Sequence, residues 1–89
     1  MNKSNTKIKT NKRNLSDKIL EIPAIDMVSN REISIWGTKG VIEYTEELIR
    51  LNCGDIIVLI KGINLSMKAL SVEDVIINGI ISSLEFTSC

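Results

Sequence analysis

The chain has 89 residues, equal numbers of basic and acidic side chains, no histidine and two cysteines. That length supports one domain, and the lack of histidine removes the commonest general base and the commonest metal ligand. Formal neutrality hides an asymmetry. Residues 1–18 carry Lys3, Lys7, Lys9, Lys12, Arg13 and Lys18 against Asp17 alone, net +5, while the remainder holds 5 basic and 10 acidic residues, net −5.

Residues 1–14 read as a flexible basic arm rich in Asn, Ser and Thr, with too little apolar surface to offset the entropy of ordering. An anionic membrane surface or nucleic acid would attract such an arm. The plainer reading is a solubilising tail, and no aromatic residue interleaves the lysines. No apolar stretch follows the arm as it would in a secretory signal. The longest apolar run, Ile56 to Ile60, falls far short of the ~18 residues a membrane helix needs. The expectation is a protein that stays in the compartment where it is made.

Residues 15–89 are expected to form one β domain led by a short helix at about 16–22, with Ser16 as N-cap, Asp17 at the positive helix end and Pro23 as the stop. Ile19, Leu20 and Ile22 would pack on the sheet as a lid. Ala24 to Asn30 reads as a connector. The first strand is Arg31 to Trp36, with Ile33 and Ile35 on one face and Ser34 and Trp36 on the other. Gly37-Thr38-Lys39-Gly40 suits a hairpin turn. The second strand is Val41 to Thr45, with Ile42 and Tyr44 facing one way and Val41 and Glu43 the other.

Glu46-Glu47 makes a polar turn before a third strand, Leu48 to Asn52, which directs Ile49 and Leu51 inward. Asn52-Cys53-Gly54-Asp55 is another hairpin turn. It leads into Asp55 to Lys61, whose apolar residues are mostly β-branched and belong on both faces of a central strand. A fifth strand, Leu65 to Ala69, alternates Leu65, Met67 and Ala69 inward. After a turn at Ser71 to Asp74 come a sixth strand, Val75 to Asn78, and a seventh from Ile80 to Phe86, with Ile80, Ser82, Leu84 and Phe86 on one face. Ile60-Lys61-Gly62-Ile63 is echoed by Ile77-Asn78-Gly79-Ile80. A glycine in a strand at such a point suggests a sharp corner. The fold class that follows is all-β: a small antiparallel meander of about seven short strands folded into a two-layer sandwich or a partly open barrel.

The chemistry of a catalytic or cofactor site is missing from this pattern. There is no phosphate-cradling glycine loop and no nucleophile-elbow serine. Glu46 and Glu47 sit on a turn with no accompanying nucleophile. Cys53 has neither a histidine nor a CxxC partner to activate it. A disulfide to Cys89 is conceivable, but nothing resembles a secreted disulfide framework, and reduced thiols are the expectation. An enzyme would have to assemble its site from Glu43, Glu46 or Cys53. No catalytic, cofactor-binding or metal-binding residue is assigned. Trp36 is either core or an exposed partner anchor, since tryptophan is enriched at interface hot spots.

A family resemblance rests on the succession Ile33-Ser34-Ile35-Trp36-Gly37, then Gly40-Val41-Ile42-Glu43-Tyr44-Thr45-Glu46-Glu47-Leu48-Ile49-Arg50-Leu51, then Ile60-Lys61-Gly62-Ile63-Asn64-Leu65-Ser66-Met67-Lys68, and finally Ile77-Asn78-Gly79-Ile80-Ile81-Ser82-Ser83-Leu84-Glu85-Phe86. In order and spacing these resemble the YabP/YqfC family of sporulation proteins, and more its YqfC branch. Asn30 departs from the proline that similar sequences often carry there. The resemblance implies a non-enzymatic interaction or assembly protein of endospore formation, made in the mother-cell cytoplasm and peripheral to the membrane around the forespore. Its expected partner is a membrane protein of the sporulation machinery, with self-association through exposed strand edges and contact of the arm with anionic lipid as further expectations. The competing reading is a small β-barrel that binds nucleic acid through the basic arm; the acidic body and scarce aromatics speak against it.

Overall fold

The structure, a computed structural model, describes residues 22–88. The expected helix at 16–22 and the basic arm lie outside the described residues apart from Ile22. Six strands follow in order: β1 (Ala24–Val28), β2 (Glu32–Trp36), β3 (Gly40–Tyr44), β4 (Leu48–Asn52), β5 (Ile56–Ala69) and β6 (Asp74–Ser88). They form one antiparallel sheet in the order β1-β2-β6-β5-β4-β3, which does not close on itself. The all-β antiparallel expectation stands.

The strand count differs for a physical reason. The expected fourth and fifth strands are the two arms of β5, and the expected sixth and seventh are the two arms of β6. Each long strand bends at its glycine without breaking, so the corner was legible but its continuity was not. Register shifts between Lys61 and Gly62 and between Ile63 and Ser66 mark the corner on β5. A side chain at Gly62 would run into the Ile80 carbonyl. At Gly79, whose φ is +142°, it would lie 2.8 Å from the Asn64 carbonyl oxygen. Backbone meets backbone here, which only glycine permits.

The bend lays one half of the sheet over the other. One half is β3, β4, the first arm of β5 and the last arm of β6; its inward rows are Val41–Leu51–Val58–Phe86 and Tyr44–Ile49–Ile60–Leu84. The other half is β1, β2, the first arm of β6 and the last arm of β5; its inward rows are Ile25–Ile35–Val75–Ala69 and Met27–Ile33–Ile77–Met67. Both halves feed one core, in which Ile33, Ile35, Ile49, Leu51, Val58, Ile60 and Ile77 are fully buried.

Several local expectations are corrected. Residues 37–39 are not a hairpin turn, because β2 and β3 do not pair. They cross from one half to the other: the Gly37 N–H donates to the Glu73 carbonyl at 2.7 Å and the Lys39 N–H to the Asn52 carbonyl at 2.7 Å. Thr38, buried at the crossing, donates its hydroxyl to the Val72 carbonyl at 3.3 Å. Residues 24–28 are an edge strand, not a connector. In β3 a bulge between Val41 and Glu43 puts both Val41 and Tyr44 on the inward face, which simple alternation cannot do. A second register shift brings Ile81 rather than Ile80 into the core. Ala69 faces inward opposite Val75 but is exposed at the sheet margin. The central position of the Ile56–Ile60 run is confirmed, but only Val58 and Ile60 are buried; Ile57 and Leu59 are half-buried on the outer face.

Candidate functional site

The residues that invited a catalytic reading are kept apart by the fold. Cys53 caps the end of β4 and is fully buried, donating its N–H to the Ile56 carbonyl at 2.9 Å. Burial raises its thiol from the ordinary 9.0 to about 11, so the reactive thiolate is disfavoured. Glu43 lies on the outer face beside Arg50, at 3.8 Å. Glu46 and Glu47 are exposed on the β3–β4 turn. Among the described residues no group of three or more His, Cys, Asp or Glu side chains is placed to hold a metal. No helix among them is long and apolar enough to cross a membrane.

What the fold presents is edges and apolar surface. In each half two strands have one side without a neighbouring strand: β3 and the last arm of β6 in one, β1 and the last arm of β5 in the other. Such edges leave backbone donors and acceptors open to another strand. Met27, Val28, Val41, Ile42, Tyr44 and Phe86 all lie on or beside these edges and are exposed. Isolated surface apolar residues are ordinary, but contiguous ones mark contact surfaces.

The edges are not equally open. On β5 past the corner, the Leu65 N–H donates to the Glu46 carbonyl at 2.8 Å and the Met67 N–H to the Tyr44 hydroxyl at 3.0 Å. Tyr44 therefore reaches from β3 across the seam and closes that margin. At the opposite seam the Ile81 N–H donates to the Asn30 carbonyl at 2.8 Å. No tyrosine follows there; Met27, opposite Ile33 as Tyr44 is opposite Ile49, occupies the corresponding place.

Trp36 ends β2 on the outer face, opposite Ala24 and Asp74, and is 39% exposed. It is thus outside the buried cluster formed by Ile33 and Ile35 on the same strand. Sequence reasoning found Trp36 but missed the β1 edge and the Tyr44 seam. The alternation of Ile25 and Met27 with Asp26 was the available signal for β1. Nothing local announces the seam, because it joins residues from separate hairpins.

Fold and surface together define a small β domain of one open antiparallel sheet, with exposed apolar side chains along its strand edges. The YabP family model matches residues 21–89, and the chain belongs to that sporulation-associated family. No curated protein and no solved structure matches it.

Proposed function

We propose that this protein is a non-enzymatic interaction module of endospore formation that acts in the mother cell and engages a membrane protein of the sporulation machinery. The family match carries this reading, because it spans the β domain and leaves the basic arm outside. The exposed apolar edges supply the kind of surface that strand addition uses. Trp36 on the outer face is the candidate contact residue, and the arm an auxiliary contact with anionic lipid.

Compartment-specific complementation tests the reading. In a spore-forming strain lacking the gene, heat-resistant spores are counted after expression from a mother-cell promoter or a forespore promoter. Rescue only from the mother cell supports the proposal; undiminished spore yield in the deletion strain overturns it. Crosslinking in the rescued strain, with the full chain and with a version lacking residues 1–14, then asks whether a membrane protein is held by the domain. Trp36→Glu is expected to lose that crosslink while retaining the far-ultraviolet spectrum of a β domain.

A further inference from the structure

β3 ends the sheet on one side, as β1 does on the other, and all five of its residues are exposed. Val41 and Tyr44 share its inward face, since they pair with Leu51 and Ile49. The charges at its ends are opposite: Lys39 stands just before the strand, Glu46 and Glu47 just after it. Among the described residues the ion pairs are Glu43 with Arg50 and Lys61 with Glu85, so Lys39, Glu46 and Glu47 take part in none. The other edges are less suited to self-pairing. The outer arm of β5 already has its Leu65 and Met67 N–H groups occupied. β1 has Asp26 at its middle and is half-buried at Ala24 and Ile25.

We propose that two copies of this chain associate by antiparallel pairing of β3 with β3 of the second copy, extending the half of the sheet that contains β3 and β4 across a twofold axis. Antiparallel pairing sets the basic start of each strand against the acidic end of the other; parallel pairing would set like against like. A two-fold register with Val41 opposite Tyr44 of the second copy keeps both on the inward face. The same register sets Lys39 opposite Glu46 of the second copy, twice by symmetry. It also sets Glu43 opposite Ile42 of the second copy, so no two carboxylates directly oppose each other. A self-complementary patch of this kind is what an isologous dimer requires.

Sedimentation velocity of the full chain over a concentration series tests this, with Lys39→Glu, Glu46→Lys and the two combined. Both positions are exposed, so the variants are expected to fold, and far-ultraviolet circular dichroism checks that. The wild type is expected to dimerise. Each single reversal creates two like-charge contacts and is expected to weaken the dimer by about tenfold or more. The combined variant, with the charges exchanged, is expected to recover most of that loss. A monomeric wild type throughout the series overturns the proposal. So does a dimer indifferent to the single reversals, or a combined variant no tighter than either single. Spore yield plays no part in these readouts, so the dimer stands or falls apart from the sporulation reading.

Discussion

The two halves of the sheet are built alike. Ile33 and Ile35 on β2 correspond to Ile49 and Leu51 on β4, and each inner strand pairs with one long strand, Ile33 opposite Ile77 and Ile49 opposite Ile60. The carbonyls of each hairpin turn then accept from N–H groups at the corner it faces. Arg31 and Asn30 accept from Gly79 and Ile81, just as Glu47 and Glu46 accept from Gly62 and Leu65. The halves differ at their margins. Tyr44 ties one seam shut, whereas Met27 holds the matching position in the other and is 45% exposed. Both inner frames are held by backbone bonds to a corner, whereas the margins follow no common pattern, and it is there that the two halves present different side chains.

The corners should show the largest effects. Gly62→Ala brings a Cβ against backbone that cannot move without unpairing β5 from β6. Gly79→Ala meets the same crowding and adds the strain of a positive φ. A domain of this size has a stability on the order of 3–5 kcal/mol. Either variant is expected to lose most of it, read as absent or greatly lowered denaturation midpoints. If one glycine tolerated alanine and the other did not, the equivalence of the corners would fail.

Next come the inner strands. Ile33→Ala and Ile49→Ala each remove a fully buried side chain from matched positions. Each is expected to cost about 2–5 kcal/mol, and their closeness in urea denaturation measures how nearly the halves share one core. A cost at one site several-fold larger than at the other would show that the core is anchored in a single half.

Cys53 has no thiol counterpart in the first half, where Gly37 occupies the matching place after β2. Its folded-state pKa is raised, so the folded state favours the neutral thiol. The thiol's contribution to stability is therefore fully present below pH ~9, the ordinary range for a thiol, and is lost as pH rises through about 11. The loss is on the order of 2–3 kcal/mol. Comparing wild type with Cys53→Ala across that window isolates the thiol from lysine and tyrosine titration. Parallel curves for the two proteins would show that the thiol ionises without penalty.

The corners were readable because glycine in a β-branched run has few other uses, and Gly62 and Gly79 recur in the same local setting. The inner rows of β2 and β4 followed from alternation alone. The two errors of facing share one cause. The bulge at Val41 to Glu43 and the register shift before Leu84 each add a residue out of step, and a period of two cannot report an inserted residue. The crossing at Gly37 to Lys39 was misread because two glycines with a short polar stretch describe a hairpin as well as a crossover. Which strands pair is settled elsewhere, by the Glu73 and Asn52 carbonyls. The margins were less legible still, since Tyr44 reads as an ordinary strand residue sharing a face with Ile42 until β5 is seen to bend beneath its hydroxyl.

The seam itself gives the smallest and most discriminating effect. Tyr44→Phe keeps the ring and removes only the hydroxyl that accepts the Met67 N–H. The bond is exposed, so water can replace the lost acceptor, and the expected cost is about 0.5–1 kcal/mol, near the low end for a hydrogen bond. Global denaturation would barely register it. Amide hydrogen exchange at Met67 should accelerate while exchange at Ile77, buried one strand inward, stays slow. The converse change, Met27→Tyr, puts a ring and hydroxyl at the corresponding margin and tests whether that seam can be closed by the same device. Slower exchange on the outer arm of β6 after Met27→Tyr would mean that the open margin is a property of one residue. Unchanged exchange would mean that the backbone geometry of the two seams differs, and that the likeness of the halves ends at their inner strands.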